Sequence, residues 1–158
     1  LLEAMSRFSP DTAAGTLRLH YAGPSGTRVE HDADEAGVAT RTSIHGVVNS
    51  VRARSLVQSA RAAIVIGSRD YEYAIPGKVY EIIATGTRLL VIAPKSSEVL
   101  SLAREYRLGW SHEPEDIDGI ARSLEAIAAN NTSFDFDRAE LTASYQMARL
   151  DEALRALI

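Results

Sequence analysis

Ala62-Ala63-Ile64-Val65-Ile66, Pro76-Gly77-Lys78-Val79-Tyr80-Glu81-Ile82-Ile83-Ala84-Thr85-Gly86 and Arg88-Leu89-Leu90-Val91-Ile92-Ala93-Pro94 follow one another along the chain, and their order decides the fold. The first and third are unbroken apolar runs of strand length, the kind buried on both faces of a parallel sheet. Between them, Pro76-Gly77 opens a helix that runs to Thr85. Proline fits a first helical turn, and Gly86 fits the left-handed position that ends one. Strand, helix, strand in that order implies a crossover connection and parallel pairing.

The same alternation extends in both directions. Upstream, Leu17 to Ala22 reads as a strand ended by Gly23-Pro24-Ser25-Gly26, residues 28 to 37 as a helix, Ser43 to Gly46 as a short strand, and Val51 to Ala60 as a helix. Downstream, Ser97 to Arg107 reads as a helix closed by Leu108-Gly109, and Trp110 to His112 as a short edge strand. Pro114-Glu115-Asp116 begins a further helix to Asn130. Asn130 to Asp135 is a polar linker, and Asp137 to Ile158 reads as a last helix with Leu141, Tyr145, Ala148, Leu150 and Leu154 available to one face. The expected class is α/β: a Rossmann-like, doubly wound, mainly parallel sheet over residues 1–136, with residues 137–158 packing on it or crossing from it. There is no internal repeat and no low-complexity segment.

Bulk properties agree with that class. The chain has 158 residues, the size of one domain with one core, and is 46% hydrophobic and 24% charged. A net charge of -4 argues against a nucleic-acid partner, whose phosphates call for a basic footprint. With no cysteine, disulfides, thiolate chemistry and cysteine metal sites are excluded. No apolar run reaches the roughly 18 residues of a spanning helix. Leu1 to Phe8 lacks the basic-then-apolar pattern of a signal peptide. The expectation is a cytoplasmic protein, here a fragment starting inside a helix.

Ligands of open α/β sheets bind beyond the carboxyl ends of the strands. Four loops fall there, after Ala22, His45, Ile66 and Ala93. The third is the most informative. A helix opened by Pro76 and Gly77 points free backbone N–H groups at the crevice and attracts anions, phosphate above all. Lys78 adds a full positive charge in the first turn, where it opposes the helix dipole unless an anion arrives. Glu81, about one turn on, has the carboxylate needed to accept hydrogen bonds from a ribose diol. On spacing alone, the commoner explanation is an ordinary surface Lys and Glu on a capped helix. Gly23 permits close backbone approach, though taken by itself a tight strand-to-helix turn is the favoured explanation. His45-Gly46 stands at a strand end, where a lone His is more often packed or solvated than catalytic. His20, His31 and His112 have no partner at metal-ligand spacing, so no structural metal is expected. His31-Asp32-Ala33-Asp34-Glu35 reads as a solvated helix face, and Tyr106 and Trp110 as packing residues.

Pro76-Gly77-Lys78-Val79-Tyr80-Glu81-Ile82-Ile83-Ala84-Thr85-Gly86 resembles the Pro-x-Lys-x-x-Glu-x-x-Ala-x-Gly signature of family-four retaining glycosyltransferases, whose fold is GT-B. Tyr21-Ala22-Gly23, Ile44-His45-Gly46, Ala60 to Ile66, Thr87 to Ile92, Ser97-Glu98 and Leu108-Gly109 resemble further family segments in the right order, over nearly the whole chain. The resemblance implies the C-terminal, donor-binding lobe of an enzyme that moves a sugar from a nucleoside-diphosphate donor to an acceptor hydroxyl. That acceptor would be a polysaccharide, a lipid-linked glycan or a small molecule. Glu81 would hold the ribose; Ile75, Pro76, Gly77 and Lys78 would lie near the donor phosphates; His45, Gly46 and Val47 would border the base; Gly23 would line the cleft floor. No cofactor or metal is implied beyond the donor. The isolated lobe is expected to be inactive. Its partner would be an N-terminal acceptor lobe, and the parent enzyme fits peripheral association with the inner face of a membrane.

Two departures from the family stand out. Tyr73 occupies the place of the first glutamate of a Glu-x7-Glu pair, with Glu72 one residue away. The family's first strand, with its Gly-Arg loop and Lys-Gly, has no counterpart; a sheet lacking it would either close over the gap or expose edges. The alternatives are a nucleotide-sugar epimerase lobe and a non-catalytic nucleotide-binding or scaffolding domain. A response-regulator-like domain fits less well, since no paired acidic residues end a first strand.

Overall fold

The computed structural model describes residues 1–9, 11–130 and 141. The expected helix over 137–158 therefore lies outside the described residues, apart from Leu141, which packs against one of the cores. The rest alternates as anticipated. Helix α1 (Leu2–Ser6) precedes strand β1 (Leu19–Tyr21), α2 (Gly26–Glu35), β2 (Thr42–Ile44), α3 (Ser50–Ser59) and β3 (Ala63–Ile66). Then come α4 (Gly77–Thr85), β4 (Leu89–Ile92), α5 (Glu98–Glu105), β5 (Gly109–His112) and α6 (Ile117–Ala129). All strand pairs are parallel. The fold is α/β, Rossmann-like and doubly wound.

Strand β4 organises the larger half. It pairs with β3 on one side and β5 on the other, and all four of its residues are buried. Its side chains alternate between two cores, as a strand's period of two requires. Leu89 and Val91 join Val79 and Ile83 of α4 and Val99, Leu100 and Ala103 of α5. Leu90 and Ile92 join Ala4 and Met5 of α1, Ala33 of α2, and Ile120, Leu124 and Ile127 of α6. The sheet thus divides the interior into two clusters, where length alone suggested a single core.

The ends of α4 obey the sequence signals. Pro76 is the residue before its first turn, and Gly86 ends it at φ 80°, a left-handed conformation natural to glycine. Helix α5 is shorter than the pattern suggested. Arg107 turns left-handed at φ 51°, and the Leu108 N–H donates to the Ala103 carbonyl at 3.0 Å, which closes the helix early. At Gly109, φ is 149°, and an added Cβ would collide with the Leu89 backbone, so glycine lets β5 lie close against β4.

One expectation needs correction. Strand β3 was expected to be buried on both faces, yet only Val65 is buried and Ile66 is 69% exposed. The cause is a break in the sheet: β1–β2 and β3–β4–β5 are separate ladders. The N–H groups of Ala63 and Gly67 bond to β4, so those of Ile64 and Ile66 point away from it. In β1, the Tyr21 carbonyl accepts from the His45 N–H, so the backbone groups of His20 point away from β2. Among the described residues no strand pairing joins the two ladders. The ladders are joined instead through packing, since Leu19 of β1 and Ile64 of β3 both rest on the cluster that contains α1.

Candidate functional site

The sequence-predicted residues gather in two groups at the carboxyl ends of the two ladders. The first group closes the β1–β2 end. The Gly23 N–H donates to the Gly46 carbonyl at 2.8 Å, and the His45 N–H to the Tyr21 carbonyl at 2.8 Å. Gly46 has φ 65°, so this tight approach uses a backbone shape that glycine adopts freely. Strand register then brings a residue the sequence did not flag. His20 stacks on His45 with ring centroids 5.3 Å apart and planes 19° apart. Nδ1 of His20 and Nε2 of His45 share a hydrogen bond at 3.0 Å, which needs one nitrogen protonated and the other bare. His45 is therefore oriented rather than free to rotate.

The second group follows β3. Gly67 lies so close to Ala93 that an added Cβ would sit 2.6 Å from the Ala93 side chain, and the strand ends stay tightly apposed. Ser68 caps the short turn Arg69–Tyr71 by accepting from the Asp70 N–H at 3.2 Å. The loop then pins itself to the next one. The Ser96 hydroxyl donates to Glu72 Oε2 at 2.6 Å, and the Glu98 N–H donates to the Glu72 carbonyl at 2.7 Å. Glu72 is thus committed to a structural contact, while Tyr73 is 79% exposed. Ser96 was not singled out by sequence; its only signal is its place in a loop just after a buried strand.

Beyond this loop, α4 begins at Gly77. The Val79 N–H is taken by the Pro76 carbonyl at 2.9 Å. Gly77, Lys78 and Glu81 are exposed, and among the described residues neither Lys78 nor Glu81 has an ion-pair partner. This arrangement offers backbone donors and one uncompensated cation to an anion. No hydrogen bond or ion pair among the described residues joins the two groups, so they face the crevice from separate ladders. Among the described residues, no set of three or more His, Cys, Asp and Glu side chains converges as metal ligands. No described helix is long and apolar enough to cross a membrane.

A third cluster lies on β5 and α6. Asp116 Oδ2 meets His112 Nδ1 at 2.8 Å, and His112 Nε2 meets Ser123 Oγ at 2.7 Å. The hydrogen bond from His112 foremost, and then the Gly119 N–H, hold the Asp116 carboxyl below the usual carboxylate range. The order Asp, His, Ser is that of a hydrolytic triad. Ser123, however, is a buried residue inside α6, where a substrate carbonyl has no approach. The chain of bonds acts as a latch between β5 and α6.

No protein-family model matches the chain, nor does any curated protein or solved structure.

Proposed function

We propose that the chain is the donor-binding lobe of a glycosyltransferase that moves a sugar from a nucleoside diphosphate to an acceptor hydroxyl. The observation that carries this reading is the start of α4. A nine-residue helix opens at the carboxyl ends of a parallel sheet, with Gly77 and Lys78 exposed in its first turn and Glu81 one turn on. Negative charge grows on the leaving diphosphate as the glycosidic bond breaks, and donors already aimed at it lower the barrier. The free N–H groups and Lys78 would supply that stabilisation, and Glu81 would hold the ribose. His45, oriented by His20, and the paired Gly23 and Gly46 would border the base and the cleft floor. The acceptor hydroxyl and any general base would come from a second lobe, in the polysaccharide or glycan biosynthesis that such enzymes serve.

One observation favours a second reading, a non-catalytic nucleotide-binding domain. Tyr73 stands where the resemblance calls for a sugar-facing glutamate, and Glu72 is held by Ser96 rather than offered to a ligand. Calorimetric titration of UDP and GDP separates the cases. Binding to either nucleotide, weakened by both Lys78→Ala and Glu81→Ala, supports a nucleotide-binding lobe and names the base. Sugar transfer by a protein containing both lobes then decides for the enzyme. Absence of binding to such a protein sinks both readings.

A further inference from the structure

A second polar cavity lies at the opposite edge of the sheet. Its lining residues follow α1 or directly precede β1 and β2, so it opens at the amino ends of those strands. It is an open depression of about 780 Å³. Three arginines, Arg7, Arg18 and Arg41, line it together with the hydroxyl residues Ser9, Thr16 and Thr40, and among the described residues no acidic side chain does.

The three charges are not equivalent. Arg7 is paired with Asp118 and Glu3. Arg41 donates to the Met5 carbonyl at 2.7 Å and the Gly15 carbonyl at 3.4 Å, and Arg18 donates to the Thr40 carbonyl at 3.2 Å. Those carbonyls fix the two guanidinium groups in place without neutralising them. Among the described residues neither Arg18 nor Arg41 has a carboxylate partner. Both arginines line one depression, and each guanidinium keeps N–H donors beyond those given to carbonyls, the planar donor chemistry that suits phosphate oxygens.

We propose that this cavity binds a phosphate-bearing small molecule, with Arg18 and Arg41 on the phosphate. Two uncompensated positive charges balance a phosphomonoester dianion. Phe8, half-buried in the same lining, offers an apolar surface to whatever the phosphate is attached to. The site is distinct from the α4 crevice, which lies at the carboxyl edge.

The test is calorimetric titration of phenyl phosphate, and separately of inorganic phosphate, into the full chain. Saturable millimolar binding is expected, weakened about tenfold or more by Arg18→Gln and by Arg41→Lys. Phenyl phosphate binding more tightly than the free ion marks an ester as the ligand; equal affinities mark phosphate itself. Arg41→Lys keeps the charge but gives up the fork, and thermal melting shows whether it still folds. If it does not, Arg18→Gln decides alone, because Arg18 is exposed and holds a single carbonyl. Lack of saturation, or wild-type affinity in folded arginine variants, would overturn the proposal. Since the nucleotide titrations depend on Lys78 and Glu81, failure at one edge of the sheet leaves the other result standing.

Discussion

The two ladders belong to one chain but differ in burial. In β4 every residue is buried, because strands flank it on both sides and helices cover both faces. In β1 and β2 no residue is fully buried, and α3, which follows them, buries none either. Length of apolar run does not separate Ala62–Ile66 from Leu89–Ile92 in the sequence. Neighbours do. A strand owes its burial to the strands beside it, so a break in the sheet exposes residues whose composition is that of an interior.

That contrast can be broken by substitution. Leu90→Ala, at a site with no solvent exposure, should cost about 2–5 kcal/mol, measured by the shift of the urea midpoint. Val51→Ala in α3, at 77% exposure, should stay within about 0.5 kcal/mol. Equal costs would mean that burial does not set what each side chain contributes. Next, Gly109→Ala should cost about 1–3 kcal/mol, since the new methyl meets the Leu89 backbone where β5 joins β4.

The latch gives a finer test of how β5 is held. His112→Ala leaves the buried Ser123 hydroxyl without its partner, at a cost of about 1–3 kcal/mol. The Asp116 carboxyl titrates lower in the folded chain than in the unfolded one. Its contribution is therefore present above the unfolded value and is lost as pH falls through the folded value. Asp116→Asn should flatten the loss of stability in acid, read from urea midpoints taken down the pH scale; an unchanged profile would show that the latch does not depend on that charge. The smallest effect is expected at the crevice. Lys78→Ala should raise stability by a few tenths to about 1 kcal/mol, because a cation at a helix start opposes the dipole. A loss of stability there would mean that Lys78 has a structural partner and is not held in reserve for an anion.

Much of the fold was legible because its signals are local. Pro76 and Gly86 mark α4 to the residue, and the run from Leu89 marks β4. The end of α5 was less legible, because Arg107 takes a left-handed turn that sequence favours in glycine or asparagine. The break in the sheet was legible only as an alternative, since strand pairing is a contact between distant segments. The candidate site follows the same rule. Lys78 and Glu81 belong to one helical motif and could be read together. His20 and His45 stand 25 residues apart, and Glu72 and Ser96 stand 24 apart, so only the folded register reveals that they meet. Arg7, Arg18 and Arg41 share no motif at all.

The break between the ladders has a mechanical consequence. Gly23, His45 and Gly46 ride on one ladder, and Gly77, Lys78 and Glu81 on the other, with no backbone ladder stitching the two together. The crevice between them is set by the packing of side chains on α1 and its neighbours, which yields to shear more readily than a row of backbone hydrogen bonds. A ligand touching both groups would act as a tie-rod across a seam. It would add a link that neither ladder's own hydrogen bonds provide.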